Sequence, residues 1–384
     1  MKKRAFIIVL DGVGIGYAPD ADKYGDEGAL TLKSAHESGK LNIPNLVKMG
    51  LGNVEGLEFL GREDAPTASV GRAYERSDGK DTTTGHWEIA GIIGTEPPRT
   101  YPNGFPEDML RAIEKAAGRE MLVNKPYSGT KIIAEYGEEH IKTGKLILYT
   151  SADSVCQIAA HESVMSAAEL HKVCEAVREV LVGEYKVDRI IARPFAGEAP
   201  DFYRTDDRRD FALTPPYCML DALKAGGKDV IGVGKIYDIF AGKSITENFA
   251  VHGNEECCDA AMKCVRELDF DGLCFVNLVD TDMEYGHRRD AEGFANALSE
   301  FDKWLGEFTE NMRDSDMLVI TADHGCDPGY KGTDHTRETV PVIVYGKGLS
   351  AKSLGERSTY ADIAASVCDF AGVEYHGAGE SFYE

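Results

Sequence analysis

The residues best equipped for chemistry are acids and imidazoles at the ends of apolar runs: Asp11 after IIVL, Asp280 and Asp282 after VNLV, and Asp323 with His324 after VITA. Two more imidazoles follow in polar stretches, His287 in EYGHRRD and His335 in GTDHTRE. Carboxylate oxygens neutralise a divalent ion, and imidazole nitrogens select against Mg2+ and Ca2+, so this set suits a pair of ions such as Mn2+ or Zn2+. Any one of these residues alone reads as a helix cap or a surface loop residue. An adjacent Asp-His at one strand end, an Asp-x4-His after a second and a lone Asp after a third together read as a metal site. On an α-helix the Asp-x4-His pair would be splayed, so Asp282 and His287 are expected on a loop, which Gly286 permits.

A second candidate is GKDTTTGHWE, residues 79–88. An unassisted threonine hydroxyl is a poor nucleophile near neutral pH, but one beside a divalent ion can lose its proton and attack phosphorus. A helix is expected to begin at GHWE, placing the threonines just before an N-terminus whose free N–H groups favour phosphate. A threonine N-cap explains the same residues without function. Residue chemistry alone does not choose among Thr82, Thr83 and Thr84.

These residues need a scaffold that brings distant strand ends together. Short β-branched runs supply one: AFIIVL (5–10), DVIGVGKI (229–236), LCFVNLV (273–279), DMLVITA (316–322) and VPVIVYG (340–346). They alternate with helical patterns, the sign of βα units in a mostly parallel sheet, whose sites form at the carboxyl ends of the strands. In 293–310, Phe294, Leu298, Phe301, Leu305 and Phe308 recur at helical spacing, with Trp304 beside them as packing. A middle region has its own strands, KLILYT (145–150) and RIIARPF (189–195), and its own helices, 107–117 and 166–181. Pro97-Pro98 and Pro215-Pro216 flank it, which suggests a domain at 97–215 inserted into a core made of 1–96 and 216–384.

Composition excludes several classes. The 384 residues are 43% hydrophobic with no apolar run of membrane-spanning length, so a soluble two-domain chain is expected, with no membrane partner. A net charge of −23 and no basic patch exclude nucleic acid as a partner. The apolar run after MKKR is too short for a secretory signal, and the 9 cysteines lack a CxxC or a disulfide framework. Reduced thiols and a cytoplasmic location are the expectation.

In this order, VLDGVGIG, GKDTTTGHWE, YTSADSV, NLVDTDMEYGHRRD, ITADHG and GTDHTRE resemble the motifs of the bacterial phosphopentomutases, a family of the alkaline phosphatase superfamily. The resemblance runs nearly end to end, and the KDTxTGHWE, TSADSV and GHRRD elements are its most specific parts. It implies an α/β alkaline-phosphatase-like core, its mostly parallel central sheet flanked by helices, with an inserted α/β cap. It further implies two Mn2+ ions, one held by Asp11, Thr82, Asp323 and His324, the other by Asp282, His287 and His335. Thr82 becomes the nucleophile, which carries a phosphoryl group between ribose 1-phosphate and ribose 5-phosphate through a bisphosphate. Ser151, Asp153, Arg189, Arg204 and Lys235 fall on substrate-binding positions. A sugar bisphosphate primes such an enzyme, and the partners expected are pentose phosphates, with the chain acting as a monomer. A cap that excludes water would keep the phosphoenzyme from hydrolysing. The cofactor-independent phosphoglycerate mutases share the metal motifs, but their nucleophile is serine, against the threonine here.

The chain departs from the family pattern at two positions. Gly12 stands where serine is common, and Cys326 where asparagine is usual. Neither is an implied ligand, but a cysteine beside the metals invites oxidation if exposed, or a soft ion.

Overall fold

Every residue of β1 (Arg4–Leu10) is buried, and RAFIIVL lacks the alternation of a strand with one wet face. Such a run needs cover on both faces, as a parallel strand between helical layers has. The structure, a computed structural model, describes residues 2–96, 99–151 and 154–383. The chain divides into two compact units, residues 1–96 with 215–384, and residues 97–214.

After β1, the first unit carries β2 (Ser69–Ala73). The second unit holds β3 (Met121–Pro126), β4 (Leu146–Thr150), β5 (Val155–His161), β6 (Arg189–Ala196), β7 (Tyr203–Arg204) and β8 (Arg209–Ala212). The first unit then resumes with β9 (Asp229–Val233), β10 (Glu247–Phe249), β11 (Gly272–Leu278), β12 (Met317–Thr321), β13 (Val340–Tyr345) and β14 (Ser353–Arg357).

The sheet of the first unit has the order β10-β9-β11-β1-β12-β13-β2-β14. Its neighbours pair in parallel, except that β13 is antiparallel to both β12 and β2. The register sets Leu10 against Leu278 and Val9 against Thr321, so β11, β1 and β12 end at one level on one edge. The helix Ala291–Asn311 buries Phe294, Leu298, Phe301, Leu305 and Phe308, the five residues of the sequence stripe. Trp304 lies partly buried beside them, its ring 4.7 Å from that of Phe308. The helix Ala361–Ala371 adds Ile363 and Val367 to the same core.

The second unit repeats the layering on a smaller scale. Its sheet runs β3-β4-β5-β6-β7, with β8 also paired to β6. Side chains alternate between its faces as strand geometry dictates. Leu146, Leu148, Ile158 and Ile190 pack with Met109, Ile113, Leu170 and Val177 of the helices Glu107–Ala117 and Ala167–Val180. Ile147, Tyr149 and Phe195 pack on the other face with Ile132 and Ile133 of the helix Gly129–Thr143. Among the described residues, no helix is long and apolar enough to cross a membrane.

Candidate metal centre and nucleophile

The shared edge of β11, β1 and β12 collects the acidic strand ends. Asp11 follows β1 directly and is 2% exposed; Asp323 follows β12 after Ala322 and is fully buried. Each carboxylate is anchored by one oxygen and turns the other toward imidazole nitrogens. Asp11 Oδ2 accepts from Asn277 Nδ2 at 2.9 Å, and Asp323 Oδ1 accepts from the backbone N–H groups of Gly12 and His324, both at 3.1 Å. Asp11 Oδ1, Asp323 Oδ2 and Asp282 Oδ1 are buried without a hydrogen-bond partner.

Expected on a loop with His287, Asp282 instead lies on a π-helical turn, Thr281–Gly286, that follows β11 and has His287 as its C-cap. In this turn the His287 N–H donates to the Asp282 carbonyl at 3.2 Å, a bond between residues i and i+5. That wider winding returns the fifth residue to the same side, which an α-turn would not do. Thr281 Oγ1 donates to the Asp11 carbonyl at 2.6 Å and ties the turn to β1. Asp280 turns away and accepts from the Asn254 N–H at 2.8 Å.

Three imidazoles face these oxygens with Nε2. His324 Nε2 lies 3.4 Å from Asp11 Oδ1 and 3.5 Å from Asp323 Oδ2. His335 Nε2 is 3.4 Å from Asp282 Oδ1, and His287 Nε2 is 3.4 Å from Asp282 Oδ2. The opposite ring nitrogens of His287 and His324 reach backbone carbonyls, Thr333 O at 2.6 Å and Gly325 O at 3.1 Å. A proton on each Nδ1 for that bond leaves an Nε2 lone pair turned into the site, the usual outer-shell device for a metal-binding histidine. His287 Nε2 and His335 Nε2 stand 3.1 Å apart, where at most one proton fits between them. Three overlapping clusters result among the described residues, Asp11–Asp323–His324, Asp282–His324–His335 and Asp282–His287–Cys326, each with ligand atoms within 4.8 Å of one another.

The electrostatics call for positive charge. Burial favours uncharged His324, yet Asp323, Asp11 and Asp282 outweigh it and hold the imidazole well above its ordinary pKa. Hydrogen bonding of its ring N–H to the Asp282 carboxylate raises His287 to about 9. Burial would push the Asp282 carboxyl up, but His287 and His335 hold it well below the usual range. Burial and the neighbouring Asp323 carboxylate raise Asp11. A cluster that draws protons onto its own imidazoles is one in which divalent ions can replace those protons, and the carboxylate oxygens are suited to ligate them. The residues present therefore fit a metal centre.

The candidate nucleophile faces this cluster. The helix begins at Thr82, earlier than the GHWE start expected, because Asp81 is its N-cap. Asp81 Oδ1 accepts from the N–H groups of Thr83 and Thr84, both at 3.1 Å, so those donors are engaged and not offered to phosphate. The Thr84 hydroxyl donates to Asp81 Oδ2 at 2.5 Å, whereas Thr82 Oγ1 lies 3.2 Å from His324 Nε2. A Cβ at Gly85 would stand 2.1 Å from the Asp323 carbonyl oxygen, so only glycine lets the helix come this close to the end of β12.

The residues placed at substrate positions are more dispersed. Lys235 Nζ lies 2.7 Å from Met283 Sδ in the π-turn, one residue from Asp282. Ser151 directly follows β4 in the second unit, and Asp153 lies outside the described residues. Arg189 opens β6 on the surface, 3.8 Å from Asp210 Oδ2. Arg204 pairs with Phe195 in the sheet, and its guanidinium lies where a Cβ on Gly129 would meet it.

Several supporting residues escaped sequence reasoning. Asn277 is a polar residue inside a fully buried strand, a signal that something there must be bonded. His86 is fully buried, its Nδ1 2.9 Å from the Thr82 carbonyl and 3.1 Å from Asp323 Oδ2. Glu88, also buried, accepts from Ser77 N and Thr359 Oγ1, both at 2.7 Å, and so holds the segment ahead of the candidate nucleophile.

The Metalloenzyme superfamily model matches residues 3–375. The phosphopentomutase of Lachnoclostridium phytofermentans is 51% identical over 385 residues, covering 100% of this chain and 98% of that protein. The phosphopentomutase of Dictyoglomus turgidum is 52% identical over 384 residues, covering 99% of this chain and 97% of that protein. Among solved structures, the PH0037 protein from Pyrococcus horikoshii shares the fold at 15% identity, with a TM-score of 0.52 over 98% of this chain and 100% of that one.

Proposed function

The chain belongs to the phosphopentomutase family of the metalloenzyme superfamily, and from that premise we propose that it interconverts ribose 1-phosphate and ribose 5-phosphate, and their 2-deoxy equivalents, through a phosphothreonine at Thr82. One observation carries the assignment of the nucleophile: the Thr82 hydroxyl lies 3.2 Å from His324 Nε2, at the rim of the carboxylate cluster, while the Thr84 hydroxyl is bonded to Asp81.

In this reading Asp11, Thr82, Asp323 and His324 would hold one Mn2+, and Asp282, His287 and His335 a second. When bound, the ions supply Lewis-acid stabilisation of charge on the attacking and leaving oxygens. The chain supplies the rest. Phosphorylated Thr82 gives its phosphoryl group to the free hydroxyl of a pentose phosphate. The Thr82 Oγ1–P bond breaks as the new P–O bond forms, and the sugar hydroxyl proton ends on Thr82 Oγ1. The resulting bisphosphate returns its other phosphoryl group to Thr82, with the proton passing back to the sugar oxygen. A sugar bisphosphate primes the first cycle. Asp81 and His86 keep Thr82 in place through the cap of its helix and through its carbonyl. Ser151, Asp153, Arg189, Arg204 and Lys235 are proposed to hold the sugar phosphate, Lys235 on the strength of its contact beside Asp282.

The test is an assay of ribose 1-phosphate conversion to ribose 5-phosphate with and without Mn2+, with inorganic phosphate followed in parallel. Mn2+-dependent isomerisation with little phosphate release is expected. Phosphate release that outpaces isomerisation would make the protein a phosphatase instead.

A further inference from the structure

We infer that Cys326 is a sulfur ligand of the second ion site, which gives that site a preference for thiophilic ions such as Zn2+ and Co2+ beyond what Asp282, His287 and His335 alone would confer. The inference rests on the metal-site reading above.

Cys326 follows the Asp-His-Gly turn after β12 and is only 1% exposed, so its thiol faces the interior and not solvent oxidants. A carboxylate oxygen of Asp282, a ring nitrogen of His287 and Cys326 Sγ all lie within 4.8 Å of one another. Asp282 Oδ1, buried with no hydrogen-bond partner, independently marks this carboxylate as wanting a cation. The backbone fixes where the sulfur sits. Cys326 N–H donates to the Gly12 carbonyl at 2.8 Å and lies 3.2 Å from Thr31 Oγ1. Two glycines give the side chain its room: a Cβ on Gly286 would stand 2.5 Å from Cys326 Sγ, and one on Gly12 2.9 Å from Cys326 Cβ.

Thiolate is a ligand for soft and borderline ions, and Mn2+ favours oxygen donors. Around a tetrahedral ion with Zn–S near 2.3 Å and Zn–N near 2.0 Å, sulfur and nitrogen sit about 3.5 Å apart, inside the 4.8 Å within which the three ligand atoms already lie. On binding, the Cys326 S–H bond breaks, the proton passes to solvent, and a sulfur electron pair forms the bond to the ion; nothing is oxidised or reduced. Asp282, His287 and Cys326 would then hold one ion, with the sulfur taking a position that a substrate oxygen would otherwise use. Thiophilic ions at this site are therefore expected to inhibit.

The test is a Co2+ titration of metal-free protein followed by absorption, in wild type, Cys326→Ser and Cys326→Asn. Wild type is expected to show visible d–d bands together with a near-ultraviolet sulfur-to-cobalt charge-transfer band. Both variants keep the d–d bands and lose the charge-transfer band, and their Zn2+ affinity falls at least about 10–100-fold, the scale of losing even an outer-shell partner, while Mn2+ affinity holds. Visible bands without the charge-transfer band in wild type, or a charge-transfer band that persists in both variants, would overturn the sulfur ligand and leave the metal-site reading standing. No Co2+ band of either kind would overturn both.

Discussion

Thr82 Oγ1 and His324 Nε2 lie 3.2 Å apart although 242 residues separate them in sequence. Two local decisions produce that contact. Asp81 starts a helix at Thr82 and so fixes the hydroxyl on its first turn, and β12 ends at Thr321, with only Ala322 between it and the Asp323-His324 pair. The absence of a side chain at Gly85 lets the two approach.

The cap is therefore expected to matter twice. Asp81→Ala removes the acceptor for Thr83 N, Thr84 N and the Thr84 hydroxyl, and loss of an N-cap typically costs about 0.5–2 kcal/mol. Denaturant unfolding should show a loss of that size, together with a fall in kcat larger than any change in KM. A variant with wild-type kcat would show that the cap does not position the nucleophile.

Carboxylates in the ion cluster predict a linkage between metal and stability. Mn2+ that binds only the folded chain should raise Tm, since a ligand at a hundred times its Kd adds about 2.7 kcal/mol. Asp323→Asn keeps an oxygen for the Gly12 and His324 N–H groups but turns an amide toward the cluster. That variant should fold and lose both the Mn2+-induced Tm rise and turnover, and chelation should remove turnover in wild type. An undiminished Tm rise in Asp323→Asn would remove Asp323 from the ligands.

Glu338 makes a prediction about pH. Burial raises its carboxyl from 4.5 to about 7, although hydrogen bonds from Thr31 and Thr336 partly oppose the shift. The folded state thus binds a proton that the unfolded state has released. The associated stability is fully present below pH 4.5 and is lost as pH rises through 7, by at most roughly 3 kcal/mol. Glu338→Gln carries no such proton, and its amide can meet the same two hydroxyls. Denaturant unfolding from pH 5 to 8 should show the variant gaining on wild type as pH rises; a constant difference between them would refute the raised carboxyl.

The scaffold was legible where the code is local. β1, β11 and β12 are near-continuous apolar runs whose acidic ends can be read directly, and the phenylalanine and leucine stripe of 291–311 announces its buried face. β2 and β14, SVGRA and SLGER, each carry a glycine and charge in five residues; β2 takes its place from pairing with β13, and β14 from pairing with β2. The turn at Asp282 read as a loop because bonding between i and i+5 has no periodic signature in six residues. The helix at Thr82 begins three residues earlier than the sequence suggests because Asp81, its cap, sits before threonines that themselves resemble caps. Asn277, His86 and Glu88 were invisible for a different reason: their partners lie on other elements, and only the fold brings them together.

The central claim is that Thr82 carries the phosphoryl group, and peptide mass spectrometry after incubation with Mn2+ and a pentose bisphosphate tests it most directly. Phosphate on Thr82 is predicted, with Thr82→Ala left unphosphorylated and without mutase turnover, and with Thr83→Ala and Thr84→Ala still phosphorylated at Thr82. Phosphate found on another residue, or turnover retained by Thr82→Ala, would contradict the account.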